Sequence, residues 1–430
     1  MMKLPLGRGD CKMRHRRFMY KCAKCSKVYS DDDVPPNDGC GGRIDITPDL
    51  ELLKETITQE ELSSRNPAHW KYFELLPIRK KESIITLGEG GTPLIKADRL
   101  GKKYGLDNLF LKIETMNPSG SFKDRPISVG LSRAIEDGAS VVISASSGNA
   151  AASLATYSAR SGTKTIVLVP EKVPSGKLIH LLVLGTKVIQ VKPTVPNVDP
   201  TTALLQEAYT ELDWTPIPSF GPFNCFQYEG NKTIGYELAE QFEWKTPDWV
   251  FFPTGSGGLM SGTMKGIYEF KELGLIEEIP KPVVVQPTGC SPLVEAFQKS
   301  KKPTEIEPAE NVDTCAGGLA DPFPWDGDAA LTYLEDAKGM AISVSDYSIK
   351  KCLVELGKYE GIFGEPSGVA GLAGLKQMIE DGTIDKQDQI IVPITGSGFK
   401  DLHLIKALIP KTPVISQSLE KLLEAVREYD

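Results

Sequence analysis

"PDWVFFPTGSGGLMSGTMKGIYEFKEL", residues 247–273, decides the fold. Its first apolar run has the length and composition of a buried strand, a glycine-rich turn follows, and the remainder has the spacing of an amphipathic helix. Strand, tight turn and helix form the unit from which parallel sheets are built. From residue 84 onward the unit recurs: "LFLKIE", "SVVISAS", "TKTIVLV", "TKVIQV", "KPVVVQPTG" and "QIIVPITG" alternate with longer amphipathic stretches. This predicts an α/β architecture with mainly parallel sheets. Four runs end in glycine-rich turns, at 144–151, 253–262, 286–291 and 393–401. Ligands of open α/β sheets sit beyond the carboxyl ends of strands, so turns converging there would line a crevice with backbone N–H groups.

The chain has 430 residues, 40% hydrophobic and 25% charged, enough for two or more domains with real cores. No apolar run approaches the roughly 20 residues that span a bilayer, which argues against a membrane protein. A formal charge of −8 argues against a general nucleic-acid binder, although "RHRRFMYKCAKCSK", residues 14–27, is strongly basic. The opening "MMKLPLGRGDCKM" has no apolar core or cleavage site of a signal peptide; it reads as a disordered start, and removal of residues 1–17 is expected to be silent. Cys11, Cys225, Cys290, Cys315 and Cys352 are scattered as thiols of a reducing cytosol are, which points to a cytoplasmic protein. Cys22, Cys25 and Cys40 are grouped with zinc-ribbon spacing, but Asn37 stands where the second knuckle should carry its first cysteine. A zinc ion there would need His15, Asp38 or a water; otherwise the segment is a degenerate ribbon docked on its neighbour. Residues 48–77 read as helical with an aromatic end.

"NPSGSFKDRP", residues 117–126, places Lys123 just after a Pro-Ser-Gly turn. A helix capped by Ser119 or Ser121 would explain the pattern, yet a cation sits badly at the positive end of a helix dipole. The objection weakens if the amine is held as an imine. "SASSGNAAAS" offers Ser146, Ser147 and Asn149, either as a polar N-cap or as donors to a carboxylate and a phenolate-like oxygen. "PTGSGGLMSG" is neither a Walker loop nor a dinucleotide fingerprint; it is a phosphate cradle or a plain turn. "PITGSG" carries Thr395 and Ser397, whose hydroxyls suit a ring nitrogen or a solvated turn.

In this order the four stretches resemble the tryptophan-synthase-like family of fold type II pyridoxal-phosphate enzymes, over residues 80–410. The resemblance implies two open α/β domains: a large cofactor domain from 46–125 and 230–430, and a small one from 126–229, behind a ribbon-like leader, 1–45. It implies pyridoxal 5'-phosphate as cofactor and Lys123 as both its Schiff-base partner and the base at Cα. It also implies Asn149 at the ring oxygen, Gly255, Ser256, Gly257, Gly258 and Leu259 around the phosphate, and Thr395 at the ring nitrogen. Ser146 and Ser147 would hold substrate, and a homo-oligomer is compatible with all of this.

"LGEGGTPL", "NPSGSFKDR", "EGNKTIGYELAEQ", "GIFGEPSGVAGLAGL" and "TGSGFKD" are similar to threonine synthases in particular, as is the Cys-bearing leader. Those enzymes typically carry Ser-Thr-Gly-Asn-Thr, Gly-Asn-Ala-Gly-Asn and Thr-Gly-His-Gly-Leu where this chain has "SSGNA", "GSGGL" and "TGSGF". The departures look more like the cysteate synthase branch of methanogenic archaea. That branch takes O-phospho-L-serine and sulfite to L-cysteate and phosphate on a route to coenzyme M. Threonine formation from O-phospho-L-homoserine is the alternative. Lys112, Arg125, Lys177 and Lys232 are candidates for the substrate phosphate, each equally readable as structural or surface. The leader and "FKDRP" argue against a serine or threonine dehydratase. A non-catalytic regulator with a nucleic-acid ribbon is opposed by the incomplete knuckle and by Lys123.

Overall fold

A computed structural model describes residues 17–173, 175–193, 199–409 and 411–427. His15 and Cys11 lie outside the described residues. Thirteen strands form three sheets among them: β1 (Phe18–Cys22), β2 (Val28–Tyr29), β3 (Ile44–Pro48), β4 (Leu94–Lys96), β5 (Asn108–Ile113), β6 (Val142–Ala145), β7 (Thr165–Pro170), β8 (Lys187–Val191), β9 (Thr215–Pro216), β10 (Trp249–Pro253), β11 (Lys281–Pro287), β12 (Met340–Val344) and β13 (Gln389–Ile394).

The largest sheet runs β12-β11-β10-β13-β5-β4, parallel except for β4, which pairs antiparallel with β5 at the edge. All five residues of β10 are buried, which is why this strand reads as an unbroken apolar run rather than an alternating one. A second sheet, β8-β7-β6-β9, is wholly parallel. These two sheets with their helices give the α/β architecture that the recurring strand–turn–helix unit predicts. The third sheet, β2-β1-β3, is antiparallel. There β1 alternates buried and exposed residues, and its inward Phe18 and Tyr20 join Ile44 and Ile46 of β3 against Cys225 and Phe226.

Residues 48–77 are helical as expected, but in three short pieces: the α-helices Leu50–Leu53 and Gln59–Ser64 and the 3-10 helix His69–Leu75. Thr58 restarts the chain as an N-cap, accepting from Glu61 N at 3.1 Å, and Asn66-Pro67 stops it again, since proline disfavours helix in the residue before it. Removal of residues 1–17 would not be silent at its last position. The Arg17 guanidinium donates to the carbonyls of Ile78 (2.8 Å) and Phe73 and stacks on the Phe73 ring, tying the ribbon to this turn region. No helix among the described residues is long and apolar enough to cross a membrane.

Candidate active site

The loops leaving β5, β6, β10 and β13 are all at the carboxyl ends of parallel strands. The first is stitched to the last: Phe122 N donates to Thr395 O (3.0 Å), Ser397 N donates to Gly120 O (2.9 Å), and Ser121 and Gly396 form a β-bridge. Lys123 opens helix Asp124–Glu136 as its N-cap residue, in helical geometry and without a side-chain cap. Neither Ser119 nor Ser121 is that cap. Ser119 instead donates through its backbone N–H (2.6 Å) and its hydroxyl to the buried carboxylate of Asp124.

A buried ion network fixes this helix start. Arg125 donates from Nε to Glu114 (2.7 Å) and from Nη1 to Glu237 (2.7 Å), and Lys112 on β5 donates to the other Glu237 oxygen (2.6 Å). Lys232 is likewise held between Glu229 (2.8 Å) and Glu269 (3.0 Å). Lys112, Arg125 and Lys232 are therefore structural cations, not free ones. Lys123 is placed differently. Its amine donates to Ser219 Oγ at 2.8 Å, and burial pushes its ammonium below the ordinary lysine value, opposed by the charges of Asp321 and Asp326. Ser219 has φ +76°, a left-handed backbone that non-glycine residues seldom adopt, and Gln227 accepts its N–H at 3.0 Å.

Those two aspartates face the glycine loop. Helix Gly258–Glu272 starts from Gly257, φ +99°, with no side-chain cap, so its first N–H groups point outward unclaimed by the cap residue. A Cβ on Gly255 would lie 2.6 Å from Asp321 Oδ2, and one on Gly258 2.8 Å from Asp326 Oδ2. The Asp321 carboxylate thus lies against the loop that Gly255 opens. Burial pushes the Asp321 carboxyl up to about 6 and that of Asp326 up to about 7. Leu259 is buried in the main core.

At the opposite corner Asn149 begins helix Asn149–Ser161. Its amide donates to Glu365 Oε1 (2.6 Å) and its carbonyl accepts from Lys400 (2.9 Å). Gly396 has to be glycine here, because a Cβ would stand 2.1 Å from Glu365 Oε1 and 3.1 Å from Asn149 Nδ2. Burial raises the Glu365 carboxyl to about 7, against the pull of Lys400. Lys177 lies close by, 3.1 Å from Asp401. Ser146 accepts from Gly148 N at 3.1 Å, Ser147 is half-buried, and Thr395 is buried. Ser397 uses its hydroxyl to accept from Phe399 N (3.4 Å).

The structure therefore brings Lys123, Asn149, Thr395 and Gly255–Gly258 to one crevice. The turn at 286–291 backs the glycine loop: Gln286 Nε2 donates to Gly255 O (3.4 Å) and Cys290 Sγ to Asp321 O (3.4 Å). Gly289 lies under Asp313, whose carbonyl would be 1.7 Å from a Cβ there, and the turn braces the strap that carries Asp321. Cys22, Cys25 and Cys40 belong to the ribbon sheet. Sequence reasoning missed Ser219, Asp321, Asp326, Glu365 and Lys400. The last two stand in "GEPSG" and "GFKD", and the aspartates in "LADPFPWDG", where nothing but turn chemistry is visible.

The donor set fits pyridoxal phosphate: a lysine of lowered basicity, an uncapped glycine turn at a helix N-terminus, and an amide and a hydroxyl on the remaining sides. Comparison with known proteins agrees. The family model described as pyridoxal-phosphate dependent enzyme matches residues 85–396. The threonine synthase of Methanocaldococcus jannaschii is 41% identical over 385 residues, covering 89% of this chain and 93% of that one. The threonine synthase of Methanosarcina acetivorans is 36% identical over 411 residues, covering 95% and 98%. Among solved structures, the processed threonine deaminase isoform 2 of Solanum lycopersicum superposes with a TM-score of 0.62 at 25% identity, covering 74% of this chain and 82% of that one.

Proposed function

The chain belongs to the pyridoxal-phosphate dependent enzymes, and within that family we propose that it replaces the β substituent of O-phospho-L-serine, expelling phosphate and taking up sulfite to give L-cysteate. The cofactor, when bound, supplies the electron sink for the carbanion left by loss of a Cα proton. Lys123 would hold the cofactor aldehyde and then carry that proton, a task suited to an amine whose basicity burial has lowered. The N–H groups of Gly255–Leu259 would hold the cofactor phosphate. Asn149 would face the ring oxygen and Thr395 the ring nitrogen. Lys400 and Lys177, beside Asn149, are the cations available to the substrate's phosphate.

The observation that carries this reading is the chemistry at positions 150 and 397. Ala150 offers a methyl group, and the Ser397 hydroxyl is engaged by Phe399 N. β-Replacement removes one proton and one leaving group, whereas threonine formation must also move a β proton and expel a γ phosphate, and needs more relay groups. None of the seven described cysteines is in a disulfide, which is compatible with a reducing, cytoplasmic setting.

Threonine formation from O-phospho-L-homoserine is the second reading. It is favoured by identity to threonine synthases along nearly the whole chain, and by Glu365, a carboxyl near 7 at the Asn149 corner that could serve as a relay. The test is incubation of the cofactor-loaded protein with each phosphorylated amino acid, with and without sulfite, and identification of products by mass. Cysteate from phosphoserine and sulfite is expected. Threonine released from phosphohomoserine faster than cysteate from phosphoserine overturns the first reading in favour of the second.

A further inference from the structure

We propose that Cys22, Cys25, Cys40 and Asp38 together bind one zinc ion, and that this ion holds Arg43 against Asp326 of the crevice. The sequence supplies three thiols and a choice of fourth ligand; the fold brings Asp38 to them. Asp38 Oδ2 lies 3.1 Å from the sulfurs of both Cys25 and Cys40, and the sulfurs of Cys22 and Cys40 are 3.5 Å apart. All four ligand atoms fall within 4.8 Å of one another. A tetrahedral zinc with Zn–S of about 2.3 Å and Zn–O of about 2.1 Å requires ligand-to-ligand edges of roughly 3.5 to 3.8 Å, within this range of spacings.

The backbone is arranged for sulfur ligands as well. The N–H groups of Lys24 and Cys25 both point at Cys22 Sγ (3.4 Å each), and Gly42 N–H points at Cys40 Sγ (3.4 Å). Each knuckle thus aims donors at its sulfur, which favours a metal-bound thiolate and orients it. The second knuckle is Asp38-Gly-Cys40, with Asp38 also accepting from Cys40 N at 2.9 Å. Its packing leaves no room for a side chain at Gly42, where a Cβ would be 2.5 Å from Lys24 Cβ and 2.9 Å from Cys22 Sγ. A dication with three thiolates and one carboxylate keeps two net negative charges. Lys24, between the first two cysteines, brings a compensating cation beside the second knuckle, where its Nζ donates to Cys40 O at 2.9 Å.

Arg43 follows Gly42 directly. Its guanidinium donates to Asp45 (2.9 Å) and Asp328 (2.8 Å), lies over the Tyr228 ring and reaches within 4.0 Å of Asp326 Oδ1. That same Asp326 oxygen accepts from Gly221 N (3.0 Å), and its partner oxygen faces Gly258 of the cofactor loop. An ion that fixes Cys40 therefore fixes Arg43, and through it one wall of the crevice. Small antiparallel ribbons with few buried residues commonly need such an ion to hold their shape.

The experiment uses the full-length, cofactor-loaded protein. Metal analysis after exchange into zinc-free buffer should find one zinc per chain, and cobalt(II) substitution should give thiolate-to-cobalt absorption with tetrahedral bands. Asp38→Ala and Cys25→Ser should lose the ion at least tenfold more readily to a competing chelator, while Asp38→Cys should retain it. Zinc removal, and Arg43→Gln with zinc still bound, should both weaken retention of the cofactor. Less than a tenth of an equivalent of zinc after reconstitution of the wild-type chain overturns the site, as does a Cys22–Cys40 disulfide in freshly purified protein. Retention unchanged in Arg43→Gln and in the zinc-free protein overturns the link to Asp326. The zinc measurements do not depend on which amino acid the enzyme uses, and the wild-type cobalt spectrum stands even if a variant fails to fold.

Discussion

Two buried charge clusters lie on either side of the start of helix Asp124–Glu136. In the first, Lys112 and Arg125 face Glu114 and Glu237, two cations against two anions, and the cations hold both carboxyls below their ordinary values despite burial. In the second, Lys123 faces Asp321 and Asp326, and both carboxyls rise, to about 6 and about 7, because burial outweighs the attraction of the nearby cations. Asp326 Oδ2 has no hydrogen-bond partner. The first cluster is complete in itself and holds the scaffold. The second is left short of donors and of positive charge, as a region is when a ligand completes it.

The comparison can be broken most directly at the central cation of each cluster, Lys123 in the second and Arg125 in the first. Lys123→Ala should abolish cofactor absorbance in the visible range and all turnover while leaving the circular dichroism spectrum unchanged, since the amine is not part of the balanced cluster. Residual turnover would show that the crevice has been assigned to the wrong amine. Arg125→Met should do the opposite. It strands Glu114 and Glu237 without their shared partner, and should cost about 3 to 5 kcal/mol in denaturant unfolding. Asp326→Asn should instead stabilise the cofactor-free chain at pH 8, because the amide keeps the bond from Gly221 without burying a charge. A destabilised Asp326→Asn would mean that the second cluster is as complete as the first.

The pH dependence sharpens the same contrast. Asp321 and Asp326 titrate higher in the folded protein than their ordinary 3.8, so their contribution to stability is fully present below about pH 4 and is lost as pH rises through about 6 and 7. A phosphate brought to the same loop meets fewer charges when they are protonated. Cofactor affinity, followed by absorbance titration, should fall as pH rises from about 5.5 to 8. Asp321→Asn should flatten that slope, and an unaltered slope in this variant would place its cause elsewhere. The smallest effect belongs to Lys400→Ala. It should raise KM for the phosphorylated substrate several-fold, with kcat lowered less and the cofactor spectrum retained.

The α/β fold was legible because strands buried on both faces, such as β10, are written as apolar runs, and each is followed by a turn whose glycines are visible. Lys123, Asn149, Thr395 and Gly255–Gly258 could be singled out because each carries its chemistry inside a local motif. Ser219, Asp321 and Asp326 could not. They lie in proline-rich connections without periodicity, and only tertiary packing brings them to Lys123 and the loop. Asp38 could be named as one of three possible fourth ligands because it stands beside Cys40 in the sequence, and the choice among them took the fold. The helical reading of 48–77 held for its elements but not for their continuity, which the restart at Thr58 and the stop at Asn66-Pro67 interrupt.

Strand β13 enters the large sheet between β10 and β5, pairing Ile390 with both Trp249 and Leu109. Its neighbour β5 comes from the first third of the chain and β13 itself from the last tenth. During synthesis on the ribosome the small parallel sheet can therefore close early, while the central edges of the large one wait for residues 389–394. Thr395 and Gly396 follow immediately, so the crevice cannot be completed before β13 is in place. A fragment ending at Asp388 should retain no cofactor however well its small sheet forms, and a nascent chain carries the open flanks of β5 and β10 until residues 389–394 emerge.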